Sequence, residues 1–231
     1  MNRRTARVLA SAAVCSTVIV AVPAACVALT VQYHHTLDYT VSQLITTVVI
    51  DDAAGDVTVT GGASALDVSE RQSYHDSPPV TSHTVADGTL TLTYRCSSDN
   101  CGVDYNLQVP TGTAVTIDAS AGDVMLTGLD GSIQATASAG DITASGLTSG
   151  HARFSDSAGD ILVGFAAAPT SVYAQSDAGD VTIFLPGSGS YQVAASSQAG
   201  RVHVTVPLAA GSADSITAKS QAGDVAVRTQ E

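Results

Sequence analysis

The tetrapeptide Ala121-Gly122-Asp123-Val124 decides the fold of this chain, because near copies of it return along most of the sequence. Those copies begin at Ala54, Ala121, Ala139, Ala158, Ala178 and Ala222, with a variant, Ala199-Gly200-Arg201-Val202, in the same series. From Ala121 onward the steps between them are 18, 19, 20, 21 and 23 residues. A period of about 20 residues is typical of solenoids, in which each repeat buries its apolar face only against its neighbours.

Apolar residues flank each copy in four columns, six and four residues before its first alanine and three and five residues after it. The residues between these columns are mostly polar, which is the period of two expected for strands with alternate side chains pointing inward. The third column contains Val57, Val124, Ile142, Ile161, Val181, Val202 and Val225. We therefore predict an all-β fold, a single-stack β-solenoid similar to a parallel β-helix, with two short strands per coil. Unrelated hairpins of a β-sandwich are the alternative, which four aligned columns disfavour.

The turn residues of such a stack would form a ladder, with equivalent side chains about 4.8 Å apart. Carboxylates at that distance repel each other by ~1 kcal/mol in water. We expect each of them to accept hydrogen bonds from amides of its own turn, with glycine providing a positive φ. A bound Ca²⁺ is the alternative, although the chain lacks the Gly-Gly-x-Gly-x-Asp nonapeptides of calcium-binding β-rolls. Arg201 is expected to lie between its two acidic neighbours and to neutralise both. The predicted ladder is Asp56, Asp123, Asp141, Asp160, Asp180, Arg201 and Asp224.

The first 31 residues predict a membrane anchor. Residues 1–7 contain three arginines and are predicted to be a cytoplasmic tail, whereas residues 8–31 carry no charge. A helix of 24 residues is ~36 Å long, enough to cross a hydrocarbon core of ~30 Å, and the arginines would keep the N-terminus inside. We thus expect a single-pass plasma-membrane protein with a transmembrane signal-anchor at 8–31, a juxtamembrane linker at 32–47 and an extracytoplasmic solenoid at 48–231.

Two other interpretations of the N-terminus remain. A signal peptide could be cleaved after Val22-Pro23-Ala24, since small residues precede such cuts. A lipid-modified Cys26 is less favoured, because Pro23-Ala24-Ala25-Cys26 lacks the usual leucine and an apolar segment follows it.

The charge of the chain limits its partners. Three of the nine Lys and Arg lie within residues 1–7, so six remain beyond the predicted span against all 21 Asp and Glu, a formal charge of −15. This acidity argues against binding nucleic acid or adsorbing to anionic lipid. Aromatic residues make up only 4% of the chain. Composition therefore predicts little stacking surface for sugar rings and few cations for phosphate groups.

The repeat lapses over residues 60–112, which we predict to be an irregular segment that caps the first coils. Within it, Cys96 and Cys101 bracket the tip of a predicted hairpin between 89–94 and 103–109. A disulfide is expected there in an oxidising compartment, because a metal site would need two further ligands that are not near in sequence. The opposite end of the stack is predicted to be open at the C-terminal coil, where a partner strand could pair with the edge.

The chain has no sequence motif of an enzyme. Metalloprotease, serine hydrolase, phosphate-loop and dinucleotide signatures are all missing, so no catalytic residue, cofactor-binding residue, cofactor or metal is predicted. The pair His34-His35 follows the predicted span, and we interpret it as interfacial.

Taken together, these features resemble the bacterial membrane-anchored putative-adhesin β-repeat domains, also called toast-rack domains. The resemblance rests on the Ser-Ala-Gly-Asp-Val/Ile turns, the passage at 185–191, and the cysteine hairpin that leads into Val109-Pro110-Thr111-Gly112; it spans roughly residues 48–227. It implies a rack of parallel β coils without catalytic residues. It also implies a role as an adhesin or envelope interaction scaffold, whose partner would be a protein or another envelope component. The alternative is a stress-sensing ectodomain that works with a membrane partner.

Overall fold

The structure is a computed structural model that describes residues 32–97 and 100–230, and nineteen β-strands run through these ranges. Ten of the strands form one sheet: β1 (Tyr33–Val41), β3 (Val57–Ala63), β4 (Leu66–Tyr74), β7 (Cys101–Pro110), β9 (Val124–Thr127), β11 (Ile142–Leu147), β13 (Ile161–Phe165), β15 (Val181–Leu185), β17 (Val202–Val204) and β19 (Val225–Thr229). The other nine form a second sheet: β2 (Thr47–Asp52), β5 (Val80–Ala86), β6 (Thr89–Arg95), β8 (Ala114–Ala119), β10 (Ile133–Ala137), β12 (His151–Ala158), β14 (Ser171–Ala178), β16 (Gln192–Ala199) and β18 (Ser215–Ala222).

Each coil gives one strand to each sheet, and equivalent strands of adjacent coils pair in parallel. The predicted columns are confirmed residue by residue. In the ten-stranded sheet, Val124 pairs with Ile142, Ile142 with Ile161, and Ile161 with Val181. These side chains form one continuous row and are all buried between the sheets. The solenoid therefore has two mostly parallel sheets around a shared apolar core.

A column rich in alanine explains how a large side chain fits between the sheets. Phe154 is fully buried and pairs in register with Ala135 on one side and Ala174 on the other. Small neighbours in adjacent coils leave room for the ring, as close packing of an interior requires.

The turn glycines are required mainly because the backbone of the adjacent coil comes close to them, and less because of a positive φ. Gly122 has a φ of +121°, as predicted, and a Cβ there would lie 1.9 Å from the Gly55 carbonyl oxygen of the adjacent coil. Gly159 is not among the glycines with a positive φ, yet its Cβ would still lie 2.1 Å from the Gly140 oxygen. The shared requirement is thus space for the carbonyl of the neighbouring coil.

Chain order and stacking order differ at both ends. From one end to the other the coils are β6–β7, β2–β3, β8–β9, β10–β11, β12–β13, β14–β15, β18–β19 and β16–β17. The C-terminal coil β18–β19 is therefore interior, and the prediction that it forms the open edge is wrong. Residues 205–214 connect β17 to β18, and ten extended residues can reach ~33 Å, far enough to step past one coil.

The predicted irregular segment contains more structure than expected. One coil, β6–β7, lies within it, beyond the first coil of the sequence. Three antiparallel strands then cover that coil: β4 pairs with β7, β1 pairs with β4, and β5 pairs with β6. We call this the capped end of the stack, and we call the end formed by β16 and β17 the open end. Since β1 lies within 32–47, that segment is not simply a linker.

Within the described residues, no helix is long and apolar enough to cross a membrane. The predicted tail at 1–7 and the predicted span at 8–31 lie outside the described residues.

Candidate functional site: the aspartate ladder and the two ends of the stack

The Ala-Gly-Asp turns superpose along one edge of the stack and are joined by backbone hydrogen bonds. The Gly122 amide donates to the Ala139 oxygen at 3.0 Å, and the Val124 amide donates to the Asp141 oxygen at 2.9 Å. The same two bonds join most of the other adjacent coils. The main chain pairing of the sheets thus continues through the turns.

Each turn carboxylate accepts a hydrogen bond from the next coil, not from its own turn. The Asp141 amide donates to Asp123 Oδ1 at 2.9 Å, the Asp160 amide to Asp141 Oδ1 at 2.8 Å, and the Asp180 amide to Asp160 Oδ1 at 2.7 Å. The prediction that own-turn amides fill this role is wrong, because those amides already donate to carbonyl or carboxylate oxygens of the adjacent coils. The amide dipoles facing each carboxylate offset the repulsion between neighbouring charges.

Arg201 ends the ladder instead of interrupting it. Its amide donates to Asp224 Oδ1 at 2.8 Å, and its Nε and Nη2 donate to Asp224 Oδ2 at 3.1 and 2.9 Å. These hydrogen bonds lower the pKa of Asp224. The Asp224 amide itself donates to Asp180, so Arg201 does not lie between the two acids as predicted. The reason is the inverted order of the last two coils.

Asp104 is a further ladder member that the sequence prediction missed. Its Oδ1 accepts from the Asp56 amide at 3.2 Å, and its Oδ2 forms a salt bridge with Arg71 Nη1 at 3.3 Å. A signal was present, since Asp104-Tyr105 stands where Asp-Val stands in other coils and Leu107 follows in the next apolar column. It was hidden because the turn before it contains six additional residues, including Cys96 and Cys101.

Cys96 and Cys101 are disulfide-bonded, as predicted, with their Cα atoms 5.8 Å apart. The predicted hairpin is wrong, because β6 and β7 belong to different sheets and pair in parallel with β2 and β3. The disulfide therefore closes the enlarged turn of coil β6–β7.

Polar side chains are buried beneath the capped end. Tyr39 Oη donates to Glu70 Oε1 at 2.6 Å, and Tyr94 Oη donates to the Ala54 carbonyl at 2.7 Å. Asp52 is fully buried; its Oδ1 accepts from the Ala54 amide at 3.2 Å, while its Oδ2 has no hydrogen-bond partner among the described residues. Burial raises the pKa of the Asp52 carboxyl to about 7, although the hydrogen bond from the Ala54 amide opposes that rise. Burial therefore favours the protonated form of the Asp52 carboxyl.

Asp52 lies in the same column as serines of other coils, and the hydrogen bonds of those serines indicate what a protonated Asp52 could donate to. Ser176 Oγ donates to the Gly159 carbonyl at 2.9 Å, and Ser220 Oγ donates to the Gly179 carbonyl at 2.8 Å. Asp156 also lies in this column, and burial raises its pKa. Its Oδ2 has no partner among the described residues. A protonated carboxyl could donate where serine donates, whereas a carboxylate could not.

No described strand covers the open end in this way. Val193, Ala195 and Val204 are only partly buried there, and Val202 is 46% exposed. Their counterparts in interior coils are buried. Both β16 and β17 are therefore sheet edges with one unpaired side.

Comparison with known proteins identifies the group to which this architecture belongs. The family described as Toastrack DUF4097 matches residues 45–231. The chain belongs to that family. A search of the curated proteins finds no match.

Solved structures are similar to this chain at low sequence identity. A putative adhesin from Bacteroides fragilis aligns with a TM-score of 0.51 and 16% identity, over 86% of this chain and 97% of that chain. A putative cell adhesion protein from Clostridium sporogenes aligns with a TM-score of 0.48 and 13% identity, over 86% and 100%. At 16% identity, the first of these similarities shows a common fold and nothing finer.

Within 32–97 and 100–230, no three or more His, Cys, Asp or Glu side chains are grouped so that they could hold a metal ion. His34 and His35 lie on the exposed edge strand β1. The predicted ladder residues are brought together in one row, and their carboxylates are used in joining coils.

Proposed function

We propose that this Toastrack protein is a non-catalytic adhesin or interaction scaffold of the cell envelope, anchored in the plasma membrane by residues 8–31 with its coils outside. The observation that carries the proposal is the register of the stack. Backbone pairing in both sheets and the aspartate ladder hold eight coils in fixed positions. Equivalent outward side chains therefore form rows along the stack, in which neighbouring side chains are ~4.8 Å apart. A surface that is already ordered loses little entropy when it binds.

The disulfide supports the extracytoplasmic part of this proposal. Disulfides persist in oxidising environments and are rare in the cytosol. Cys96 and Cys101 are joined at the exposed turn of coil β6–β7, where a reducing cytosol would have access to them.

The single lysine of the chain gives a direct test of location. Lys219 is the only lysine in the sequence and is exposed on β18. An amine-reactive biotin that cannot cross membranes should label intact cells that produce the full chain, and it should fail to label the Lys219→Arg variant. Labelling that requires cell lysis would refute the extracytoplasmic location.

Adhesion is tested separately, by comparing cells that produce the full chain with cells that lack it. Producing cells should bind more strongly to envelope fragments or to other cells.

Purification of the full chain in detergent, followed by identification of any membrane protein that co-purifies with it, then distinguishes scaffolding from sensing. Two results together would contradict the adhesin function and favour the stress-sensing alternative. One is a membrane protein that co-purifies in an amount equal to that of the chain, and the other is equal adhesion of cells with and without the chain.

A further inference from the structure

Two cations meet one tyrosine on the outer face of the nine-stranded sheet. Arg153 on β12 pairs in register with Tyr173 on β14, and its Cζ lies 4.1 Å from the centre of the Tyr173 ring. Lys219 on β18 approaches the same ring, with its Nζ 5.7 Å from the centre. Both distances are within the range of cation–π attraction, which holds the charges near a fixed point on the face.

Neither of these cations forms a salt bridge with a described carboxylate. Among the described residues, the Lys and Arg salt bridges are Arg71–Asp104 and Arg201–Asp224. Arg153 and Lys219 take part in neither. Two of the six cations beyond residue 31 therefore lie together, although composition alone predicts few partners for anionic groups in so acidic a chain.

A shallow groove of about 340 Å³ runs beside Arg153 across β8, β10, β12 and β14. Its rim is polar, and besides Arg153 and Tyr173 it contains Thr116, Ser132, Gln134, His151 and Ser171. Because the groove crosses four strands, it extends ~14 Å along the stack. It can thus accommodate an elongated ligand rich in hydroxyl groups, with one end at the guanidinium.

We propose that this groove binds a saccharide carrying an anionic group, either a carboxylate or a phosphate. The planar guanidinium of Arg153 can donate two parallel hydrogen bonds to either group. Lys219, on the adjacent strand β18 and outside the groove lining, adds a second positive charge near Tyr173. The hydroxyl and amide groups of the rim can exchange hydrogen bonds with sugar hydroxyls. The proposal rests on the adhesin function for its biological role, because it names the class of ligand that the scaffold would hold.

Binding can be measured by calorimetry on the full-length chain in non-ionic detergent. The probes are trigalacturonate, a phosphorylated maltotriose and neutral maltotriose, which are similar in size. At least one anionic trisaccharide should bind at least about tenfold more tightly than maltotriose, and raising the salt from about 0.05 to about 0.5 M should weaken it. The anionic probe that binds more tightly identifies the source of the charge. Equal binding of all three, or no binding of any, would overturn the proposal.

Variants locate the site. Arg153→Gln should weaken binding at least about tenfold, and Arg153→Lys should restore only part of it, because lysine lacks the planar pair of donors. Arg228→Gln is the matched control, since Arg228 is also exposed but lies on β19 of the ten-stranded sheet. Unchanged binding by Arg153→Gln, or equal loss in Arg228→Gln, would refute the site.

The cell adhesion assay separates this proposal from the function on which it rests. Cells that adhere normally while producing Arg153→Gln would refute the groove as the adhesive site but not the adhesin function. A different result would refute the adhesin function and support the groove as a binding site: cells producing the unmodified chain adhere no better than cells that lack it, although the purified chain binds an anionic trisaccharide through Arg153.

Discussion

The capped end and the open end expose the same four apolar columns to different surroundings. At the capped end, antiparallel strands cover coil β6–β7, and its inward Leu90 and Leu92 are completely buried. At the open end, the equivalent Val193 and Ala195 of β16 are only partly buried. Burial in a column therefore depends on a neighbour at each side, so a coil of this solenoid has no core of its own.

The ladder shows a second contrast between the ends. Both of its terminal steps involve an arginine, Arg71 at the capped end and Arg201 at the open end. At the open end no further coil can supply an amide, so a carboxylate at position 201 would lack the hydrogen bond that the other ladder acids receive. An arginine there instead donates to Asp224. The exception in the repeat thus marks the last coil of the stack.

The largest effect is expected from a turn glycine inside the stack. In Gly140→Ala, the new Cβ would lie 2.2 Å from the Gly122 carbonyl oxygen, and the φ of +128° disfavours any side chain. We expect the free energy of unfolding to fall by about 3 kcal/mol or more, because neighbours on both sides prevent the coil from moving. Urea unfolding of the full chain measures the change.

Two other glycines provide the comparison. Gly200→Ala at the open end meets a similar contact, 2.0 Å from the Gly223 oxygen, but its coil has only one neighbour and can shift. We expect a loss of about 1 kcal/mol there. Gly150→Ala is the control, since its nearest atom is 3.8 Å away, and it should change stability by less than about 0.5 kcal/mol. Equal losses at Gly140 and Gly200 would show that the open end is as rigid as the interior.

Much of this architecture was predictable because inward side chains repeat in sequence. The four columns and the disulfide pair follow from local spacing, and the structure bears them out. The stacking order does not follow from it, because Val225 fits beside Val181 as well as Val202 would. Position in the stack depends on the connections, and the sequence between β17 and β18 is long enough to permit either order.

The buried acids were unpredictable for a related reason. Asp52 occupies a column where serine and alanine also occur, and its burial depends on coil β6–β7, which pattern reading did not find. The pair of cations at Tyr173 was likewise unpredictable, because Lys219 on β18 lies beside β14 only when the open-end coils exchange places.

Asp52 at the capped end is expected to make the free energy of unfolding depend on pH. Its pKa in the native state is about 7, above the ordinary value of 3.8, so between these values the native state holds a proton that the unfolded state has released. Its stabilising contribution is thus complete below about pH 4 and is lost as the pH rises through about 7, at about 1.4 kcal/mol per unit. Asp52→Asn removes this dependence, and its stability relative to the unmodified chain should rise by about 2 kcal/mol between pH 5 and pH 8.

Urea unfolding at several pH values measures this difference. Asp118→Asn is a suitable control, because Asp118 lies on the exposed face of the same sheet. A trend of equal size in both variants would show that the burial of Asp52 is not its cause. A flat difference for Asp52→Asn would mean that Asp52 is charged throughout and that another group compensates for its burial.

A smaller effect is expected from a ladder carboxylate. Asp160→Ala leaves the Asp180 amide, which donates to Asp160 Oδ1 at 2.7 Å, without its partner. Water can replace part of that bond at an exposed turn, so we expect a loss of about 1 kcal/mol. Asp160→Asn keeps an oxygen acceptor and removes the charge, which separates the two contributions. If asparagine stabilises the protein relative to aspartate, repulsion between turn carboxylates outweighs their charge-assisted hydrogen bonds.

The smallest effect is expected at Arg201, where stacking order and chain order disagree. The Arg201 side chain is 90% exposed and forms its salt bridge with Asp224, the terminal ladder acid. Aspartate at this position would keep the backbone donor to Asp224, lose the two side-chain donors and add one repulsion that salt screens. Exposed ion pairs contribute little, so Arg201→Asp should lower Tm by no more than about 2 °C. Thermal melts of the full chain at low and high salt measure it. A fall several times larger, insensitive to salt, would place Arg201 between Asp180 and Asp224 and would make the C-terminal coil the open end.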